Sequence, residues 1–320
     1  MIKIRHHEVE VTEAEAGLRL DKALSKIFSD YSRSIIKGWI DAGRVKLNSN
    51  PCRPRDIVTS GDTVHLTAVL EGTTGLAPEV VDFNVVHIDE ACIVVDKPAG
   101  CVVHPGAGNS AHTLVNGLLY RYPELTSLPR AGLVHRLDKN TSGLLIVART
   151  GQAYQRLVQA MAAREIKRVY SALCNGRFVS GGTINEAVGR DPKNRTRMKV
   201  RSDGREAITH YRVATRFRAH THLEVSLETG RTHQIRVHLS HLGHPVVGDR
   251  KYGSRLLLPP TPDSRLDLCL RGFTRQALHA QRLEFKHPTK SGNINLESPL
   301  PTDFRQLLEA CATDLVNSGT

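Results

Sequence analysis

The chain contains no apolar run of the roughly 18 residues that a membrane-spanning helix needs. Its N-terminal MIKIRHHEVEVTEAE carries acidic residues and no apolar core, which reads against a secretory signal. Six cysteines stand at positions 52, 92, 101, 174, 269 and 311, with no C-x-x-C pair among them. Neither a disulfide framework nor a zinc ribbon is therefore expected, and free thiols in a reducing cytoplasm are. No G-x-x-x-x-G-K-[ST] segment supports nucleoside triphosphate chemistry. Gly106-Ala107-Gly108 begins a dinucleotide fingerprint but lacks its third glycine, because position 111 is Ala. His233, His238, His241 and His244 have no cysteine partner and no H-E-x-x-H spacing, so no metal is expected there. Negative charge is scarce, with 32 Asp and Glu against 44 Lys and Arg, a net charge of +12. That imbalance suits a polyanionic partner, nucleic acid or an anionic membrane surface.

What remains is long enough for about two domains. Hydrophobic residues make up 40% of the 320 positions, enough for a sizeable core. In residues 1–70, Leu20, Ala23, Leu24, Ile27 and Phe28 recur at helical spacing. Ser32 is placed to cap a second helix carrying Ile35, Ile36, Trp39 and Ile40, and Gly43 falls where a left-handed C-cap would stand. Val45 and Leu47, then Val64 and Leu66, alternate as short strands. Arg33, Lys37, Arg44, Lys46, Arg53 and Arg55 give this unit a basic rim. Residues 71–82, EGTTGLAPEVVD, show no periodicity and read as a linker.

Residues 83–320 read as a second domain. Strands are expected around Val85–Ile88 and Ile93–Val95, and helices over Thr113–Tyr120 and Gln152–Ala163. A strand carrying Tyr170 follows. Gly189–Arg201 is a turn-rich basic segment with Arg190, Lys193, Arg195, Arg197, Lys199 and Arg201. In Leu223–Leu239, alternating Leu223, Val225 and Leu227 form a strand, Gly230 breaks it, and Thr232 is placed to cap a helix. Leu256–Leu270 is Pro-rich and reads as a surface excursion. Phe304–Leu315 is a closing helix.

The most informative stretch is Arg130–Thr150. A polar knot, His135-Arg136-Leu137-Asp138-Lys139-Asn140-Thr141-Ser142-Gly143, leads into the short branched run Leu144–Ala148, a buried strand. One carboxylate thus sits between two cations in a turn held against a sheet. Cations nearby favour the ionised carboxylate, which can serve as nucleophile or base. On its own the same pattern also describes a loop salt bridge.

HRLDKNTSG resembles the signature of the large-subunit ribosomal RNA pseudouridine synthases, most of all the D-type branch that modifies uridines in a helix-loop. The unit Arg19–Leu24, Ser32-Arg33-Ser34 and Gly43–Asn48 resembles the S4 RNA-binding domain. The resemblance implies an α+β fold: a large mixed, mostly antiparallel sheet flanked by helices, behind a small S4-like module. It implies isomerisation of uridine to pseudouridine in ribosomal RNA or a precursor of the large subunit, by a cytoplasmic monomer without cofactor. It makes Asp138 the catalytic residue, Tyr170 the ring stacking on the target base, and Arg236 the cation paired with Asp138. Arg136 would fill the space the flipped base leaves, and Arg33, Lys37, Arg44, Arg190 and Arg231 would contact RNA. Asp138 would either add to C1′ or remove the C2′ proton; the base that takes the C5 proton is not identified. Two other classes stay open: a non-catalytic RNA-binding factor on the same fold, and a hydrolytic nucleosidase or nuclease. The second lacks a carboxylate pair or metal motif.

Overall fold

Helical periodicity, a C-cap glycine and two short alternating runs all take effect in the first seventy residues. Strand β1 (Lys3–Glu10) precedes helices α1 (Leu20–Ile27) and α2 (Arg33–Asp41), followed by β2 (Val45–Leu47), β3 (Asn50–Pro51) and β4 (Thr63–Leu70). Leu20, Ala23 and Leu24 of α1 pack with Ile36, Trp39 and Ile40 of α2 against Val45, Val64 and Leu66. Gly43 closes α2 with φ +69°, and the Arg44 N–H donates to the Trp39 carbonyl at 2.8 Å. This is the left-handed cap that only glycine adopts without strain. The four strands pair in the order β1-β4-β2-β3, all antiparallel. β1 has no counterpart in the sequence reading. It is an edge strand with most side chains exposed, so it carries no hydrophobic period.

This computed structural model of the chain describes residues 3–28, 31, 33–70, 76–106, 109, 111–253 and 255–318. The Ser32 cap lies outside them. The chain divides into two units, Met1–Thr74 and Gly75–Thr320. Part of the stretch read as a linker belongs to the second. Glu79 N–H donates to the Asn116 carbonyl at 3.1 Å, and the Asn116 side-chain amide donates to the Ala77 carbonyl at 2.7 Å. A stretch without periodicity reads as a linker even where backbone bonds dock it.

The second unit runs β5 (Asn84–Ile88), β6 (Cys92–Lys97), α3 (Leu114–Arg121), β7 (Ser142–Ala148), α4 (Gly151–Ala162), β8 (Lys167–Asn175), β9 (Gly182–Asn185), β10 (Val188–Arg190), β11 (Met198–Val200), β12 (Ile208–Arg216), β13 (His220–Leu227), α5 (Gln234–His241), α6 (Ser264–Gly272), β14 (Leu278–Lys286), β15 (Asn293–Glu297) and α7 (Thr302–Ser318). Nine strands form one mixed sheet, β5-β6-β7-β14-β8-β13-β12-β9, with β15 added on β14. Only β7 and β14 run parallel. Alternate residues of β6 and β7 feed two cores. Ile93, Val95, Leu145 and Val147 join α3 and Phe304 and Leu307 of α7 on one face. Cys92, Val94, Leu144 and Ile146 join Ala153 and Leu157 of α4 on the other. Burial on both faces is why the Leu144–Ala148 run is unbroken by polar residues.

Gly143 ends the signature with φ +112°, and a β-carbon there would collide with the backbone of Ala280 on β14. The glycine lets β14 lie beside β7, next to the Asp138 turn. Three local expectations are corrected. α5 is capped by His233 with φ +59° and no side-chain bond, not by Thr232. The basic 189–201 segment is largely the β10–β11 hairpin. The second half of Leu256–Leu270 is the start of α6, whose Leu266 and Leu270 are buried. Prolines at 259, 260 and 262 masked that helix start, which Asp263 caps. Among the described residues, no helix is long and apolar enough to cross a membrane.

Candidate active site

Asp138 lies in the loop entering β7, the strand between β6 and β14 in the sheet. A lysine holds that loop from beneath. The Lys97 ammonium, at the end of β6, is fully buried and donates to the carbonyls of Pro98 (2.7 Å), Cys101 (2.9 Å) and Lys139 (3.0 Å). Burial lowers the Lys97 pKa to about 8, with Cys101 and Asp138 pulling the other way. A buried ammonium is tolerated when its protons are all bonded. From above, the Thr141 N–H donates to the Asp138 carbonyl at 3.1 Å, and Gln276 donates to the Thr141 hydroxyl at 3.1 Å. Lys97 was absent from the sequence-derived site. Its signal was a lysine, next to Asp96, closing the apolar run Cys92–Val95.

The Asp138 carboxylate reaches Arg236 on α5, with Oδ2 2.7 Å from Nη1. The other edge of the same guanidinium is clamped by Asp249, Nε to Oδ2 at 2.7 Å and Nη2 to Oδ1 at 2.9 Å. The Asp249 side chain has no solvent exposure and also accepts the N–H groups of Lys251 and Tyr252. Burial works against both charges. For Arg236 the Asp249 hydrogen bond and the fields of Asp138 and Asp249 outweigh it, and its pKa is raised. For Asp249 the Arg236 pair outweighs it, and its pKa lies below the ordinary carboxylate value. Arg236 is therefore a fixed cation: Asp249 holds it, and its free end orients Asp138.

A tyrosine hub continues the network. The Tyr252 ring stacks on the Arg236 guanidinium at 5.0 Å and on Arg197 of the hairpin at 5.3 Å. Its hydroxyl accepts from the Met198 N–H at 2.8 Å and lies 2.6 Å from His233 Nδ1. The other ring nitrogen of His233, Nε2, faces Asp138 Oδ1 at 3.9 Å. Burial lowers the His233 pKa against the pull of Asp138. Neither Asp249 nor Tyr252 was singled out in the sequence, where GDRKYG resembles an ordinary polar turn.

Tyr170 on β8 is 5% exposed, and burial raises its phenol pKa. Arg168, two residues earlier on the same strand face, is also 5% exposed. Both line, with Asp138 and Arg236, an open cleft of about 1340 Å³. The lining holds ten Lys or Arg residues against three carboxylates. Exposed Arg136 and half-buried Arg231 stand in that lining, the latter donating from Nε to the Glu206 carbonyl at 2.9 Å. Exposed Arg190 lies on the hairpin, outside the lining.

In the first unit, Arg33 is committed within the fold, its Nη2 2.7 Å from Asp21 Oδ2. An S4-like arginine at this point thus also ties α2 to α1. Lys37 is exposed and without an ion pair among the described residues, and Arg44 is half-buried. The histidines of the 233–244 segment have separate partners. His238 bonds Thr209 and the Glu186 carbonyl, and His244 bonds the Asn175 carbonyl. A different cluster, His87, Asp89 and Cys92, brings ligand atoms together. Asp89 there already accepts from His87, His287 and the N–H groups of Ala91 and Cys92. Burial pushes the Cys92 thiol up to about 12. The cluster is a hydrogen-bonded knot at the β5–β6 turn.

Residues 91–241 match the family model described as RNA pseudouridylate synthase, and residues 18–64 match the S4 domain. The chain is 50% identical over 304 residues to the ribosomal large subunit pseudouridine synthase D of Xanthomonas campestris pv. campestris, covering 95% of this chain and 92% of that one. The chain belongs to the RNA pseudouridylate synthase family. The protein of the same name from Pseudomonas aeruginosa is 48% identical, covering 95% of each chain, and that from Escherichia coli K12 is 45% identical, covering 95% and 94%. Among solved structures, human RNA pseudouridylate synthase domain containing 1 superposes with a TM-score of 0.53 at 27% identity, covering 73% of this chain and 96% of that one. This synthase-family chain thus has the α+β class that its signature implies, with an S4 domain at its N-terminus.

Proposed function

We propose that this synthase converts uridine to pseudouridine in large-subunit ribosomal RNA, as the names of its relatives say of them, with Asp138 as the catalytic carboxylate. The observation that carries the reading is the 2.7 Å pair between Asp138 and a doubly clamped Arg236 in a strongly basic cleft. The reaction breaks C1′–N1, turns the base and joins C1′ to C5. It is redox-neutral and needs a placed carboxylate, a wall for the freed base, and cations for the backbone. Arg236 keeps one Asp138 oxygen occupied, so the other, facing His233, meets the ribose. Tyr170 offers its ring to the uracil, since base–aromatic stacking is worth about 1–3 kcal/mol. Removing the uridine from its stack costs a few kcal/mol, least in a loop. Arg136, exposed at the cleft beside Asp138, fills the vacated place. Lys37, Arg44 and Arg190 are phosphate contacts outside the cleft, and Arg33 contributes through its remaining exposed edge.

The test is tritium release from large-subunit ribosomal RNA labelled at uridine C5. Wild type should release tritium and Asp138→Asn should not. Binding without release on naked RNA and on immature subunits would refute the enzyme reading in favour of a binding factor.

A further inference from the structure

Arg168 has no role in the chemistry above, yet its placement is unusual. Its residue is 5% exposed, and its Nε is sealed from solvent with no hydrogen-bond partner. No carboxylate pairs with it among the described residues. Only Nη2 is engaged, at 3.4 and 3.3 Å from the carbonyls of Leu227 and Glu228. A buried cation without a counter-charge is costly, because burial removes hydration that a partner would replace. Glycine at 230 leaves room for the guanidinium: a β-carbon there would stand 2.9 Å from Nη1. Arg168 shares the cleft lining with Asp138 and Tyr170, and lies on the same face of β8 as Tyr170. Arg236, by contrast, has two carboxylates.

We propose that Arg168 is the cation that stabilises the negative charge developing on the uracil ring when C1′–N1 breaks. The proposal rests on the synthase reading above. When C1′–N1 breaks, its electron pair stays on the ring, spread over N1 and the two carbonyl oxygens. The valence at C1′ is taken by an Asp138 oxygen, or by the C1′–C2′ double bond if Asp138 removes the C2′ proton. When C5 attacks C1′ the ring's pair forms the new bond while the C1′–Asp138 bond breaks and the carboxylate leaves with its electrons. On the other route, C2′ takes back the proton that Asp138 removed. C5 then loses its proton and N1 is protonated. Arg168 exchanges no proton or electron. It supplies a fixed positive charge where the ring charge appears, beside the tyrosine against which the ring rests. Charge stabilisation by a preplaced donor in a water-poor site is worth about 10²–10³-fold in rate.

The experiment compares wild type, Arg168→Met and Arg168→Lys in single-turnover tritium release at saturating enzyme, with RNA affinity measured separately. Arg168→Met is expected to lose about 10²–10³-fold in rate with affinity within a few-fold of wild type. Arg168→Lys is expected to keep most of the rate. Each folded variant is then run on RNA containing 5-fluorouridine, and cleavage is followed as disappearance of that nucleoside from a digest. Fluorine makes the ring anion more stable, so the deficit should shrink. A deficit of the same size on both substrates in folded Arg168→Met, or an Arg168→Lys rate as low as that of Arg168→Met, would overturn the proposal. So would a variant that binds weakly but reacts normally at saturation, which would make Arg168 a phosphate anchor. If wild type itself releases no tritium, the synthase reading fails and this inference falls with it. An active wild type beside an inactive Asp138→Asn leaves the synthase reading standing, and the Arg168 variants then decide this inference alone.

Discussion

Asp249→Asn should be among the most damaging single-atom changes in the protein, although Asp249 is assigned no contact with substrate. The replacement keeps size and shape. Its oxygen can still accept from Lys251 and Tyr252 N–H and from Arg236 Nη2. Its new NH₂ group, however, meets the Arg236 Nε–H that Oδ2 now accepts at 2.7 Å. Two donors face each other at a site with no solvent exposure, and the arginine loses the negative half of its clamp. Breaking a buried pair by neutralising one partner costs about 3–5 kcal/mol. For a unit of this size each kcal/mol lowers Tm by about 2–4 °C, so a drop on the order of 6–20 °C is expected by calorimetry. Activity should fall at temperatures where the variant is still folded, because Arg236 is free to leave Asp138. The pH dependence has a definite sign. The Asp249 pKa is lowered in the folded state, so its stabilisation is present above the unfolded value of about 3.9. It is lost as pH falls through the folded value below that. The gap between wild type and variant should therefore be constant from pH 5 to 8 and close only in strong acid. A variant melting within 2 °C of wild type, with full activity, would refute the clamp.

Tyr170→Phe should retain most of the turnover, whereas Tyr170→Leu should lose about 5- to 150-fold, the equivalent of about 1–3 kcal/mol of base stacking; equal rates for the two would remove the ring from the mechanism. Gly143→Ala should destabilise the second unit by about 1–3 kcal/mol or more through left-region strain and collision with Ala280, read as a shift in the denaturation midpoint; an unchanged midpoint would contradict the close β7–β14 approach. Lys97 gives up its proton near pH 8 in the folded state but near 10.4 unfolded. More protons are then bound unfolded, so this residue makes stability rise with pH across that interval. Lys97→Met should abolish that rise in melts recorded from pH 7.5 to 10, and an identical pH profile would show that Lys97 stays charged throughout. Arg190→Ala should weaken RNA binding by a few-fold and lower the slope of log affinity against log salt by about one, without changing the saturated single-turnover rate; an unaltered salt slope would exclude the hairpin arginine from the RNA path.

The polar knot at 135–143, the unbroken run at 144–148, the helices α1, α2, α3, α4 and α7, and the pair Asp138 and Arg236 were legible in the sequence. The helices and the run were legible because helical and strand periods are local, and a fully buried strand shows itself as an unbroken apolar run. The Asp138–Arg236 pairing spans 98 positions, and there the resemblance, not periodicity, supplied the link. β1 and β15 escaped notice because both are edge strands whose side chains are half in water. α6 was hidden behind prolines that end the preceding loop.

By itself, then, the sequence determined the strongly periodic helices and the buried central strand, the excess of positive charge, and the one turn where a carboxylate is surrounded by cations. Only the tertiary structure decided which cations matter. Lys97 and Asp249 look like ordinary charged residues in the chain, and become a loop cage and an arginine clamp once β6, β7 and α5 converge. Arg168 became notable only because the fold buried it without a partner. Hydrogen bonds and burial are set by side chains that meet across tens to hundreds of positions, and no period along the chain encodes those meetings.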